Sequence, residues 1–381
     1  MIMQRVLDLM ADFSEYPFQF DTDAVHAFFA SCQQESQTIV VTGQEDTVFS
    51  LDTAILDCGV MEPFDAENWI KVSCPNIQTI FHIENLKISS NLQILNHEDQ
   101  FFFENCFPGY LKQLFHFENF QKAKDQFSEK NIQVIEKAFL LNHGHDHIYG
   151  HFLTEIFPKI TIVDMAYRMG FRFPVVIGNQ TPEYCEKLFR IVLPDIEIIR
   201  IPAGGLEIKQ CFLPSHPPLY LMNKAQMHAF DRAVAANCGH QNERLRLLVC
   251  RSQIQNSYRQ IENWGEIEAL AKNYGFTIFT PGDHSLEEQI DHFARADIIV
   301  GEYSSALHNS LFSGPAKVIS LNWINHVQQA ICYSRRQPLT IIMPEDGTAI
   351  LAPTNAYSEP VPYRVKLSSL KNALDHAIRN N

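Results

Sequence analysis

From Ala138 to Leu321 the sequence alternates short apolar runs with segments whose apolar residues recur every three or four positions. That alternation restricts the chain to an α/β fold with parallel strands, each followed by a covering helix. The later series is the clearest. Stretches 245–249, 276–279, 298–300 and 317–321 read as strands, and 262–273 and 285–295 as helices between them. Ser285 and Glu288 have the spacing of a capping box, and Gly275 stands where a left-handed helix cap is expected. Four strands alternating with helices imply a right-handed, Rossmann-like sheet.

The earlier series is similar. Strands are expected at 138–143, 173–177, 196–201 and 206–214, with a helix over 221–236 closing the domain. A helix begins near 150 and is closed or kinked by Pro158. Another is expected over 181–192, with Thr181 as N-cap and Pro182 at its first position. Residues 1 to about 130 are turn-rich, with strand-like stretches at 37–43, 77–83 and 91–105, and read as an irregular β-containing region capping one end of the first domain. The tail from 368 reads as a last amphipathic helix. The expected division is 1–240 and 241–381, which gives two α/β domains with a cleft between them, and 381 residues suffice for two cores.

The formal charge of −14 argues against nucleic acid as the main partner, because a phosphate backbone requires a basic surface. The nine cysteines are scattered, odd in number and without a C-x-x-C pair, as in a reduced, cytosolic chain. The first twenty residues carry acids and aromatics where a signal peptide has an unbroken apolar core. No run approaches the ~20 apolar residues of a spanning helix. The expected location is cytoplasmic, with peripheral association at the inner face of a membrane left open. Of the 28 phenylalanines most belong to the core, and some are available to an acceptor groove or a membrane-facing patch.

Three places carry candidate chemistry. In 294–312 a short buried strand leads to Gly301, expected to turn the backbone sharply, and then to Ser304, Ser305, His308 and Asn309 at the mouth of the next helix. Unpaired N–H groups and small hydroxyls there suit a phosphate, although an ordinary strand-to-helix loop has the same appearance. Just after strand 245–249 come Arg251 and Arg259, whose forked donors match phosphate oxygens or, equally, a surface carboxylate. In the third place His143, His145, His147 and His151 fall within nine residues. This cluster is open to three readings: a metal site, histidines bonded within a loop, or a cleft-lining loop and helix start. The spacing does not suit a metal, since Asp146 directly follows His145 and no second ligand cluster exists. On a helix starting near Tyr149, His151 and Glu155 share one face, and an imidazole beside a carboxylate is a workable general base. No phosphate-binding G-x-x-x-x-G-K-[ST] or G-x-G-x-x-G motif occurs, and no G-x-S-x-G nucleophile elbow of an α/β-hydrolase.

Taken together these residues resemble glycosyltransferase family 61. "GHFLTEIFPKI" is similar to the family's His, acid and L-P-[RK] segment through His151, Glu155, Pro158 and Lys159. "LLVCRS" with "YRQIENWGEIEAL" matches at Arg251, Arg259, Asn263 and Glu266. "EEQIDHFARADIIVGEYSSALHNSLF" matches at Glu288, Gln289, Ala296, Gly301, Leu307, Asn309 and Phe312. The last motif departs from the family pattern: Tyr303 replaces His, Ser304 Gly, Ser305 Ala and Ala306 Gly.

The resemblance implies a GT-B fold, two Rossmann-like domains facing a cleft, with the second binding a nucleotide-sugar and the first presenting acceptor and base. It implies inversion at the anomeric carbon with no essential metal and no cofactor beyond the donor substrate. The acceptor it implies is a glycan or lipid-linked glycan in surface polysaccharide synthesis. On this reading Glu155, or His151 partnered by it, is the base. Arg251, Arg259 and the Gly301–Asn309 turn hold the leaving diphosphate, and Tyr303 and His308 contact base, ribose or sugar. Two rivals stay open: a non-catalytic glycan-binding or scaffold relative, motivated by the altered turn, and a metal-dependent hydrolase on the 143–151 histidines.

Overall fold

The computed structural model describes residues 3–7, 37–42, 47–48, 53–56, 73–74, 77–89, 94–95, 132–141, 146–214, 220, 222, 224–237, 243–251, 259–321, 326–342, 344 and 361–379. The chain divides into two units, Met1–Asp46 with Pro75–Arg232, and Thr47–Cys74 with Ala233–Asn381.

The first unit is built on a mixed sheet. Its strands lie in the order Met3–Leu7, Gln37–Thr42, Ile77–Ile88, Leu206–Pro214, Gln133–Leu140, Val175–Ile177 and Ile198–Arg200, with Ile94–Leu95 paired to Ile77–Ile88. The last four run parallel to one another. Ala138, Leu140, Val176, Ile208, Cys211 and Leu213 form one aliphatic cluster. Phe139, Phe173 and Phe212 make a separate aromatic one, with Phe173 stacked on Phe212 at 5.3 Å between ring centroids. Each wholly buried side chain of this size contributes about 1.5–3 kcal/mol. Strand Gln133–Leu140 has a later strand on either side, so the strand order reverses there.

A continuous helical run follows that strand. It is α-helical over Tyr149–His151, π-helical over Phe152–Ile156, 3-10 over Phe157–Lys159 and α-helical again over Ile160–Arg168. Pro158 therefore neither ends the helix nor stops its burial. A proline has no N–H and its ring collides with the carbonyl four residues back, and the wider π turn just ahead of it relieves both problems. π turns of this kind recur at functional sites. The next helix, Glu183–Val192, differs from expectation at its start. Pro182 occupies the cap position with no side-chain cap, while the Thr181 hydroxyl donates to the Asp146 carboxylate. The cap falls one residue later than expected, and the charge-assisted bond to the buried carboxylate holds Thr181 outside the helix.

The second unit has a wholly parallel sheet in the order Thr277–Phe279, Leu245–Val249, Ala296–Glu302, Lys317–Leu321, Leu339–Ile342 and Thr53–Leu56. Leu248, Ile298, Val300, Ile319, Leu321 and Ile342 pack with Ile267, Ala271, Leu370 and Leu374 of helices Trp264–Asn273 and Leu367–Arg379. Leu247, Ile299, Val318 and Ile341 alternate with them and are also buried, so both faces are covered, as parallel sheets require. The capping box of helix Leu286–Ala294 is complete in both halves. Gly275 has φ +75° as the last turn of Trp264–Asn273 closes.

In this sheet the chain goes first from Leu245–Val249 to Thr277–Phe279 on one side, then to Ala296–Glu302 on the other. This is the topological switch point, and in open α/β sheets ligands lie beyond the strand ends at that place. Among the described residues no helix is long and apolar enough to cross a membrane.

Candidate active site

In the first unit the helical run carries three charged groups into the interior, and each has a partner there, as burial demands. Glu155 is 0 % exposed and its Oε1 lies 2.7 Å from Nδ1 of His151, which is 31 % exposed. The buried Lys159 donates from Nζ to the Leu141 carbonyl at 3.1 Å, so the helix is tied to the end of the strand before it. Asp164 accepts from Arg232 at 2.7 Å and lies 3.3 Å from Arg168. The turn leading into the helix is fixed through Asp146. Its carboxylate accepts from Thr181, and its carbonyl accepts from Tyr184 at 3.2 Å and Cys185 at 3.8 Å. Burial pushes the pKa values of both donors well above their ordinary range, so they stay protonated as donors. His151 and Glu155 thus meet as their spacing predicts. Among the described residues no three His, Cys, Asp or Glu side chains are placed to hold a metal. His143 and His145 lie outside the described residues.

In the second unit the switch point is polar. Arg251 is the second residue past strand Leu245–Val249, and its Nη1 lies 3.7 Å from Glu302 Oε2 at the end of the adjacent strand. The two side chains are 23 % and 8 % exposed. Tyr363 donates its hydroxyl to Glu302 Oε1 at 3.0 Å. Tyr303 and Ser305 follow, half-buried, in the turn after Glu302. Between them Ser304 is 5 % exposed, and its hydroxyl has no hydrogen-bond partner among the described residues. The His308 ring lies 5.8 Å from that of Tyr303. Asn309 is wholly buried, and its amide donates to the Ala306 carbonyl at 3.2 Å and to Gln289 at 3.4 Å. Arg259 opens the short strand Arg259–Ile261; its side chain lies outside the described residues.

Two expectations for this segment are corrected. Gly301 does not turn the chain: it lies inside strand Ala296–Glu302. A Cβ there would come 3.0 Å from the Val249 Cβ and 3.4 Å from Leu307, so a glycine is needed for close packing and not for a bend. The segment beyond is a six-residue 3-10 helix, Leu307–Phe312, and not the start of an α-helix, so no long helix dipole points at this site.

Two motif residues outside the site serve the fold. Asn263 exchanges two hydrogen bonds with the Val365 backbone at 2.8 and 3.0 Å. Gln289 links the His284 carbonyl to Asn309. Glu302 was missed from the sequence, where one acid among many gives no local sign. Its position directly at the end of the strand beyond Ile298–Val300 is the signal that could have found it.

This mixed α/β fold, with parallel strands and covering helices, fits an α/β glycosyltransferase. Residues 149–320 match the family described as Glycosyltransferase 61. The match spans somewhat less than half of the chain and supports a family 61 glycosyltransferase. No curated protein matches the chain.

Proposed function

We propose that the chain is an inverting, metal-independent glycosyltransferase of GT-B type. It moves a sugar from a nucleotide-sugar to a hydroxyl of a glycan or lipid-linked acceptor, in surface polysaccharide synthesis on the cytoplasmic side of a membrane. The observation that carries the reading is the His151–Glu155 pair inside the family segment. The carboxylate is wholly enclosed and only the imidazole reaches solvent.

In this mechanism Glu155 accepts the Nδ1 proton of His151, which fixes the ring and leaves Nε2 to take the proton of the acceptor hydroxyl. The carboxylate then stabilises the imidazolium that forms. As the acceptor oxygen bonds to the anomeric carbon, the nucleoside diphosphate leaves from the opposite face. Its growing negative charge falls to Arg251 and to the hydroxyls and N–H groups of 303–305. His308 and Asn309 act from beneath by holding that turn in shape. Arg259 belongs to the same leaving-group site.

The test is turnover of UDP-, GDP- and dTDP-sugars with a panel of glycan acceptors, with the anomeric configuration of the first product read by NMR. Inverted configuration and loss of transfer in His151→Ala are expected. Retained configuration, or a rate indifferent to His151→Ala and Glu155→Gln, refutes the mechanism.

A further inference from the structure

The helical run that carries His151 begins without a cap of its own. Ile148, at its cap position, makes no side-chain cap bond, and the α-helical stretch is 3 residues long before the π turn takes over. So short an uncapped turn has little stability by itself, because a helix nucleus fixes several residues for one hydrogen bond. The place of the imidazole is therefore set from outside the helix, and the start of Glu183–Val192 supplies the grip. The Thr181 hydroxyl donates to the carboxylate of Asp146, in the turn just ahead of His151, and both residues are buried. The Tyr184 hydroxyl donates to the Asp146 carbonyl at 3.2 Å. The Tyr184 ring stands edge-on to Tyr149 at 5.2 Å and to Phe152 at 5.6 Å. Phe189 meets Phe152 at 5.5 Å. Tyr149 and Phe152, three apart, share one side of the helix, and His151 leaves from another.

Contacts at 146, 149 and 152 thus surround the point where the ring is attached, while Glu155 holds its Nδ1. We propose that Thr181 and Tyr184 are positioning residues for the transfer step: through Asp146 they set where the His151 imidazole stands. Both act through His151 and not on the substrate. The inference rests on the proton-taking role of His151 proposed above. A shift of about 1 Å in a catalytic group can cost about 100-fold in rate. The Thr181 bond carries the larger share, because it is charge-assisted and shielded from water. Without that hydroxyl the buried carboxylate loses a donor, and the turn moves to make good the loss.

The experiment measures transfer from UDP-, GDP- and dTDP-sugars, and calorimetric binding of the free diphosphates, in full-length variants. Thr181→Val keeps the shape and loses the hydroxyl, so the rate should fall by about 10–100-fold. Nucleoside diphosphate affinity should stay within about twofold, the mark of a loss confined to the transition state. Thr181→Ser restores the hydroxyl and should recover the rate to within about threefold. Tyr184→Phe keeps the ring packing and removes only the bond to the Asp146 carbonyl. It should lose about two- to tenfold, and it carries the same test with the core intact. Added to His151→Ala, Thr181→Val should lower the residual rate by no more than about twofold, since no ring is left to position. A general loss of folded chain would lower that residual rate in full. A rate indifferent to Thr181→Val and Tyr184→Phe overturns this inference alone. So does a Thr181→Ser variant as slow as Thr181→Val, a loss that adds in full to that of His151→Ala, or an equal loss of nucleotide affinity. A rate indifferent to His151→Ala, or no transfer from any donor, overturns the mechanism above and this inference together.

Discussion

In the first unit a carboxylate with no exposure stands behind an imidazole that reaches solvent. In the second a carboxylate stands beside a guanidinium, with a tyrosine hydroxyl behind it. Both clusters follow parallel strands where the strand order reverses, and their chemistry differs. On the proposed mechanism the first takes a proton: its acid orients a ring that can be neutral or charged. On the same proposal the second binds the donor, with a cation that is always charged. The comparison suggests that one architecture, used twice, can divide catalysis from donor binding through the side chains placed at two strand ends.

Substitutions that touch only one cluster can break this division. His151→Ala should have the largest effect, lowering the transfer rate by about 10²–10⁴-fold with little change in nucleotide affinity. Glu155→Gln keeps the shape but removes the charge behind the ring, so the rate should fall less. If either variant impairs nucleotide binding as strongly as catalysis, the two clusters are not separate in function.

Removing the cation of the second cluster is next in size. Arg251→Ala should weaken nucleoside diphosphate binding by about tenfold or more, the loss of one charge-assisted contact, measured by titration at fixed ionic strength. Gly301→Ala sharpens the comparison from the structural side. Its new methyl meets Val249 at 3.0 Å. The expected cost is about 1–2 kcal/mol of stability, seen as a lowered thermal midpoint, with donor affinity falling because the strands carrying Arg251 and Glu302 are pushed apart.

The smallest effect is expected far from both clusters, at the start of helix Leu286–Ala294. Ser285→Ala removes half of the capping box and should cost about 1 kcal/mol. The Ser285 N–H, donating to the Glu288 carboxylate, holds its pKa below the usual carboxylate range. A depressed pKa contributes stability above the unfolded value, and that contribution is lost as pH falls through the folded one. Ser285→Ala keeps that N–H, so the variant should lose this contribution in acid as the parent does. NMR titration of Glu288 checks this, and an unshifted carboxyl in the parent contradicts it.

Local signals made much of this legible from the residues. The capping box, the Gly275 cap and strands 206–214, 245–249 and 317–321 each rest on a few neighbouring residues, and the structure has them in place. The i, i+4 meeting of His151 and Glu155 is equally local. What stayed hidden depends on partners distant in sequence. Strand Thr53–Leu56 joins the second unit's sheet beside Leu339–Ile342, and nothing around residue 53 shows that pairing. Thr181 has the look of an N-cap until Asp146, 35 residues earlier, takes its hydroxyl. Gly301 resembles a turn glycine, because the need for space against Val249 is visible only once the strands are side by side. The π turn before Pro158 leaves the apolar spacing unchanged, so periodicity alone reads it as a break.

The central claim is that donor recognition belongs to the Arg251 cluster and proton transfer to the His151 cluster. Calorimetric titration of one nucleoside diphosphate into the unaltered chain, Arg251→Ala and His151→Ala tests it most directly. The account predicts a measurable affinity in the first, a loss of about tenfold or more in the second, and a value within about twofold of the first in the third. Absence of binding in the unaltered chain, or equal losses in the two variants, would contradict it.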